Sequence, residues 1–291
     1  RESAKNLSSD YEKIKVDRFG LIDLEDFKSK IKENTVLVSI ALANNELGTI
    51  QPLSDISRIL QEVRDQRLKT KNLTPIYLHS DASQAMNLID LSVARLGVDL
   101  LTINAAKVYG PKGIGALYVA RGIKLSPITF GGGQEMGLRS GTENVPSLVG
   151  FSVASELAKK HLVSSRKQYQ VLAKTFREII EQKSKITPLW LGNPKHQLVN
   201  FIPVCFDGLD AERLIFKLED RGIYVSTGAA CAASKGQKSH VLSAIGLSDS
   251  EIAGSLRITL GKDTTIEDIK TAADNLAEVV NLEARRLKLI D

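Results

Sequence analysis

The chain reads as an α/β protein: a large domain built on a mainly parallel sheet, then a smaller α+β domain. Three observations predict this. In the first half, apolar runs of strand length (Thr35–Leu42, Pro75–Leu78, Leu100–Ile103) alternate with helical segments, the pattern of βαβ units. The second half instead reads strand, strand, helix, strand, loop, helix, strand, helix. Finally, 291 residues with 43% hydrophobic and 25% charged content suffice for one or two globular domains with a sizeable core. The domains are placed at residues 1–164 and 165–291, divided inside a long helical region near Ser164-Ser165.

The opening residues, as far as Thr35, read as helix, strand, turn, helix. Thr35–Leu42 is β-branched and apolar, as a strand buried on both faces would be. It ends in Ala43-Asn44-Asn45-Glu46-Leu47-Gly48-Thr49; Asn tolerates the left-handed region, so this is a turn whatever else it does. Ser54–Gln66 reads as a helix with Ser54 as N-cap and Ile56, Ile59, Leu60 and Val63 on one face. Arg67–Thr74 is a polar connector. An amphipathic segment separates the Pro75–Leu78 and Leu100–Ile103 runs, and Ala116–Val119 is the next strand. Val145–Gln182 is mostly helical, with Pro146 where proline is tolerated and Leu157, Val171 and Leu172 facing a core. Then come strands at Thr187–Leu191 and Val199–Phe206, a helix at Asp210–Arg221 with Asp210 as N-cap and Gly222 as its stop, and a strand at Ile223–Ser226. A helix at Ser239–Ile245, a strand at Leu256–Thr259 and a helix at Thr265–Glu283 complete the chain.

Composition excludes several classes. The net charge of +5 comes with only 5% aromatics and no basic run interleaved with them, so nucleic-acid binding is not indicated. No run of about 18 apolar residues could span a membrane. Two cysteines, Cys205 and Cys231, make neither a disulfide framework nor a metal site, which suits a reducing compartment.

The chemistry concentrates at the ends of two apolar runs. Ligands of open α/β sheets sit at the carboxyl ends of strands. One run ends in His79-Ser80-Asp81-Ala82-Ser83-Gln84, the other in Asn104-Ala105-Ala106-Lys107 followed by Val108-Tyr109-Gly110-Pro111-Lys112-Gly113. A carboxylate at one strand end and an amine at the next is the requirement of a pyridoxal-phosphate enzyme. The lysine forms the Schiff base, and the carboxylate keeps the ring nitrogen protonated. The alternatives are ordinary: Asp81 as a helix cap, Lys107 as a solvated lysine. Lys112, inside a Gly-Pro-Lys-Gly turn, is the rival amine and reads as a surface residue. Gln84, one turn beyond Asp81, can donate to the phenolic oxygen of such a ring. His79 is either a core histidine or a neighbour of the site. Cys205 sits in an apolar strand and reads as a buried, inert thiol. Cys231 lies in a small, polar, basic stretch, Ser226–Lys238, where a thiolate is accessible.

HSDASQ and KVYGPKGIGALYV resemble the class V aminotransferase group of fold-type I enzymes, and within it the cysteine desulfurases of the iron–sulfur-cluster type. The resemblance spans nearly the whole chain. It implies pyridoxal 5′-phosphate as cofactor, L-cysteine as substrate, and L-alanine and a cysteine persulfide as products. Residue by residue it implies that Lys107 carries the cofactor, that Asn45 in Asn44-Asn45-Glu46-Leu47-Gly48-Thr49 reaches the phenolic oxygen, and that Asp81 and Gln84 hold the ring. In Gly131-Gly132-Gly133-Gln134-Glu135-Met136-Gly137-Leu138-Arg139-Ser140-Gly141-Thr142, it implies a segment that crosses a homodimer interface, with Thr142 on the phosphate of the partner subunit's cofactor. Asn200 and Arg257 would take the substrate carboxylate. Cys231, in Ser226-Thr227-Gly228-Ala229-Ala230-Cys231, would be the nucleophile that passes sulfur to an acceptor or iron–sulfur scaffold protein.

The chain departs from the family pattern twice. The residues before the lysine are usually Ser-Gly-His; here they are Asn104-Ala105-Ala106, so the imidazole that helps hold the phosphate is missing, while Asn104 can still donate. The resemblance also implies an absent N-terminal portion, which would supply a Gly-Ala-Thr phosphate loop and a ring-stacking His. The location expected is cytoplasmic, with an organelle left open by that missing portion. The rival functions are a catalytically silent fragment or scaffold, a selenocysteine lyase, or another class V enzyme.

Overall fold

The computed structural model describes residues 10–228 and 238–291. The chain divides into two compact units. One comprises residues 33–42 and 53–164; the other comprises 1–32, 43–52 and 165–291.

The unit of residues 33–42 and 53–164 is built on a four-stranded sheet. Its strands are β1 (Leu37–Ala41), β2 (Tyr77–Asp81), β3 (Leu100–Asn104) and β4 (Gly115–Val119), in that spatial order. β1 pairs parallel with β2, and β2 parallel with β3, with Asp81 opposite Thr102; β4 returns antiparallel. The β1–β2 crossover is helix α2 (Leu53–Lys69), which buries Leu53, Ile56, Ile59 and Leu60 as the apolar spacing predicts. That helix begins at Leu53, ahead of Ser54. β1 is not buried on both faces as its composition suggests. Val38 and Ile40 are buried while Leu37, Ser39 and Ala41 are exposed, so only one face is covered. Between β2 and β3 the amphipathic segment forms successive turns and a single short helix, α3 (Val93–Leu96), rather than a long crossover helix. Gly97 closes it in the left-handed conformation at φ 67°, against Ser57, where a Cβ would stand 2.1 Å from a hydroxyl.

The other unit opens with the short helix α1 (Leu24–Ser29), capped by Asp23. Its sheet is antiparallel: β5 (Leu189–Trp190), β6 (Phe201–Cys205), β8 (Ser255–Thr259) and β7 (Ser226–Thr227), in that order. Every residue of β6 is buried. Helix α5 (Ala211–Glu219) is capped by the Asp210 carboxylate and buries Ala211, Leu214 and Leu218. Helices α6 (His240–Ala244) and α7 (Asp249–Ala253) are short; α7 has a full capping box, Ser248 with Glu251. The last helix, α8 (Ile266–Arg286), buries an unbroken stripe from Ile269 to Ala284 and starts with a second capping box, Thr265 with Asp268.

The long helix α4 (Val145–Lys183) carries residues of both units. Leu172 is buried, but Leu157 and Val171 are exposed, against expectation. The buried stripe of its second half runs Tyr169, Leu172, Phe176, Ile180, and Val171 points about 100° away from Leu172. In the first half, Phe151 and Ala154 take the inward positions and leave Leu157 outside. Among the described residues no helix is long and apolar enough to cross a membrane.

Candidate active site

Asp81 closes β2 and Lys107 follows β3, so both stand at the carboxyl ends of adjacent parallel strands. Such strands run about 5 Å apart, and Asp81 pairs with Thr102, five residues ahead of Lys107. Asp81 is exposed, and its Oδ1 accepts from the Ser83 amide at 2.9 Å. That is an Asx turn, not a helix cap: residues 83–88 make consecutive turns, and Gln84 lies half-buried in the first of them.

Lys107 owes its place to a tight 3-10 turn, Ala105–Val108. Asn104 starts it, with Oδ1 accepting from the Ala106 amide at 2.9 Å, which leaves the Nδ2 end of that side chain as a donor. Ala105 and Val108 face inward and pack with Phe151 and Ala154. Ala106 and Lys107 therefore face outward and are exposed. Tyr109 ends the turn in the left-handed region at φ 63°, which is strained for a residue with a bulky side chain. Gly110 closes it in a tight place: a Cβ would meet the Ala105 carbonyl at 3.0 Å and Ala154 at 3.3 Å. Asn87 adds a tether that its sequence context did not announce, donating from Nδ2 to the Lys107 carbonyl at 2.7 Å.

Behind Asp81, His79 spans three strands. Its Nδ1 lies 2.8 Å from Ser39 Oγ and its Nε2 2.9 Å from Thr102 Oγ1. Burial lowers the imidazole pKa, and the Asp81 charge opposes the shift only in part. His79 is thus a neutral, hydrogen-bonded neighbour of Asp81.

In the other unit, Asn45 and Arg257 meet. Arg257 Nη1 donates to the Asn45 carbonyl at 2.9 Å. Asn44 builds the turn that presents Asn45, its Oδ1 accepting from the amides of Glu46 at 2.8 Å and Leu47 at 2.9 Å. Gly48 completes that turn at φ 71°, with Phe201 so close that a Cβ would come within 2.7 Å. Asn200 precedes β6 and donates to the Leu260 carbonyl at 3.4 Å, while its buried Oδ1 has no partner among the described residues. Thr142 is exposed at the end of the glycine-rich run. Cys231 lies outside the described residues. Cys205 is wholly buried in β6, and burial pushes its thiol up to about 12. Among the described residues no group of three or more His, Cys, Asp or Glu is placed to hold a metal.

The donor set fits the ring of pyridoxal phosphate better than its phosphate. The ring end has a carboxylate and an amine at adjacent strand tips. Where the resemblance would put the phosphate, Ala106 offers an exposed methyl in place of a side-chain donor, with the Asn104 amide next to it.

Residues 2–271 match the class-V aminotransferase family model. The chain is 41% identical over 276 residues to a protein named cysteine desulfurase IscS 1 from Archaeoglobus fulgidus, covering 94% of this chain and 67% of that one. It is 39% identical over 268 residues to cysteine desulfurase IscS of Methanosarcina thermophila, covering 92% and 63%. The chain thus spans roughly two thirds of the length of these relatives, and less than two thirds of the second. Among solved structures, a NifS-like protein superposes with a TM-score of 0.84 at 32% identity, covering 97% of this chain and 71% of that one. A structure titled SspA in complex with cysteine gives 0.70 at 34% identity, covering 89% and 68%. The parallel β1-β2-β3 core, the strand-end pair Asp81 and Lys107 and these matches lead to one conclusion: the chain belongs to the class-V aminotransferase family of pyridoxal-phosphate enzymes, in its IscS/NifS-like cysteine desulfurase branch.

Proposed function

We propose that the protein carrying this chain is a cysteine desulfurase: L-cysteine and an enzyme thiol become L-alanine and an enzyme persulfide. The observation that carries the reading is the placement of Asp81 and Lys107 at neighbouring parallel strand tips. When bound, pyridoxal phosphate supplies the electron sink that makes the substrate α-proton acidic. Lys107 Nζ holds the cofactor and moves that α-proton. The Asp81 carboxylate keeps the ring nitrogen protonated, with His79 fixed behind it. Gln84 and Asn45 donate to the phenolic oxygen, Asn104 binds toward the phosphate, and Thr142 reaches the partner subunit's phosphate in a homodimer. Arg257 and Asn200 orient the substrate carboxylate; the guanidinium fork suits that task.

Cys231 is the nucleophile. Its thiolate forms a bond to the substrate sulfur as the substrate Cβ–S bond breaks, and Cβ takes up a proton to become the methyl of alanine. No external oxidant is needed, because the sulfur simply changes partners. The persulfide then serves an acceptor such as an iron–sulfur scaffold protein or a thio-cofactor enzyme. A reducing, cytoplasmic setting keeps the Cys231 thiol free for this work. The large domain, 1–164, would carry the cofactor and the small domain, 165–291, the nucleophile.

The exposed Ala106 favours a second reading, a scaffold that folds without holding cofactor. Incubating the intact gene product with pyridoxal phosphate and then L-cysteine decides between them. Yellow absorbance, stoichiometric alanine and a mass gain of one sulfur on Cys231 support the desulfurase; a colourless protein supports the scaffold. Competition between cysteine and selenocysteine separates a desulfurase from a selenocysteine lyase.

A further inference from the structure

His79, Asp81 and Thr102 share one face of the parallel sheet. Alternate residues of a strand point the same way, as His79 and Asp81 do on β2, and Asp81 pairs directly with Thr102 on β3. A threonine hydroxyl beside a carboxylate has an obvious acceptor, yet Thr102 turns away from it. Its Oγ1 lies 2.9 Å from His79 Nε2. The Asp81 carboxylate takes the Ser83 amide at 2.9 Å and, among the described residues, neither the Thr102 hydroxyl nor any Lys or Arg.

The far side of the imidazole is occupied too. Its Nδ1 lies 2.8 Å from Ser39 Oγ, directly across on β1. A hydroxyl has one hydrogen to give. If Thr102 gives it to Nε2, that nitrogen is the acceptor, the ring proton sits on Nδ1 toward Ser39, and the imidazole is neutral. The surroundings favour that neutral form. To this face β1 brings Ser39 and Ala41, β3 brings Leu100 and Thr102, and β2 itself adds Tyr77 and Asp81. Burial lowers the imidazole pKa, and the Asp81 charge opposes the shift only in part.

We propose that His79 is a positioning residue for Asp81: it engages the Thr102 hydroxyl, and stays uncharged while doing so, which leaves the carboxylate to the ring nitrogen of the cofactor. The proposal rests on the reading of Asp81 as the partner of that nitrogen. A carboxylate already paired with a cation, or hydrogen-bonded by its strand neighbour, supports the ring proton less, because those contacts use the same oxygens and the same charge. A phenylalanine at position 79 would free Thr102 to turn to Asp81. A lysine there would be a competing cation.

The test loads the intact protein with pyridoxal phosphate labelled with nitrogen-15 in its ring, and records the nitrogen spectra of ring and histidines together. In wild type the cofactor ring nitrogen should read as protonated, and His79 as neutral at pH 7 with its proton on Nδ1. His79→Phe and His79→Lys should each lower cofactor affinity by about 10-fold, the scale of one hydrogen bond to a charged group, and move the ring-nitrogen signal toward its unprotonated position. Adding Thr102→Val to His79→Phe removes the competing hydroxyl and should recover most of that loss. A merely structural role for His79 predicts a double variant worse than the single. Unchanged affinity and an unchanged ring-nitrogen signal in His79→Phe overturn the proposal, as does a double variant no better than the single. If the His79 variants do not fold, the wild-type spectra decide: a charged imidazole at pH 7, or a proton on Nε2, overturns it. A wild type that binds the cofactor with its ring nitrogen unprotonated, or binds none, refutes the reading of Asp81. A protonated ring nitrogen beside the wrong form of His79 refutes the proposal alone.

Discussion

Asn87 holds the backbone of Lys107: its side-chain amide donates to the Lys107 carbonyl at 2.7 Å across twenty residues of sequence. The turn that carries the amine is thus tied to the turns that follow Asp81.

Replacing Asn87 by Ala removes that tie. Loss of one hydrogen bond to a backbone carbonyl costs about 0.5–1.5 kcal/mol of stability, but the larger effect expected is on the position of Lys107. Cofactor occupancy, read by absorbance across a pyridoxal phosphate titration, should fall in Asn87→Ala while thermal melting moves by only a few degrees. Unchanged occupancy would mean that the 3-10 turn holds Lys107 unaided.

Ala106→His should strengthen cofactor binding. An imidazole at this exposed position adds one charge-assisted contact to phosphate, worth about 1–3 kcal/mol. A fluorescence titration should show the dissociation constant falling by the corresponding factor. If it does not move, the phosphate is held elsewhere.

Glu283 is an acid-sensitive point of the residue 165–291 region. Desolvation by burial favours its neutral form, but hydrogen bonds and charge from Arg213, Arg286 and Lys217 outweigh it and bring the carboxyl down to about 2. A depressed folded pKa means stability that is present above the ordinary Glu range near 4.5 and lost as the pH falls toward 2. Glu283→Gln should lower stability at pH 7 by about 1–3 kcal/mol and flatten the loss between pH 4.5 and 2 in urea melts.

Cys205 works in the opposite direction. Its folded thiol is raised from 9.0 to about 12 by burial. Its contribution is therefore complete below pH 9 and declines as the pH rises toward 12, where the unfolded chain ionises first. Thiol titration of the native protein at pH 8 should leave Cys205 unlabelled until denaturant is added.

Much of this was legible before any coordinates. The strand-end pair Asp81 and Lys107, the helix with Ile56, Ile59 and Leu60 inward, and the Asp210 cap all follow from periodicity and capping chemistry, which are local. What the sequence hid is what depends on partners distant along the chain. The tether from Asn87 and the hydrogen bond from Ser239 to Glu46 join residues 20 and 193 positions apart, and no local pattern marks either. Leu157 and Val171 were misread because hydrophobicity alone does not say which of two adjacent apolar residues faces inward. The one-sided burial of β1 was missed for a related reason. A β-branched run satisfies a strand buried on both faces and one buried on a single face equally well.

The measurement that bears most directly on the site is the location of the cofactor after borohydride reduction. Treating the pyridoxal-phosphate-loaded gene product with borohydride and mapping its peptides should place a single phosphopyridoxyl group on Lys107, and its yield should drop in Asp81→Asn. A label on Lys112, a label spread over surface lysines, or none at all would contradict the assignment of Lys107 and Asp81 to one ring.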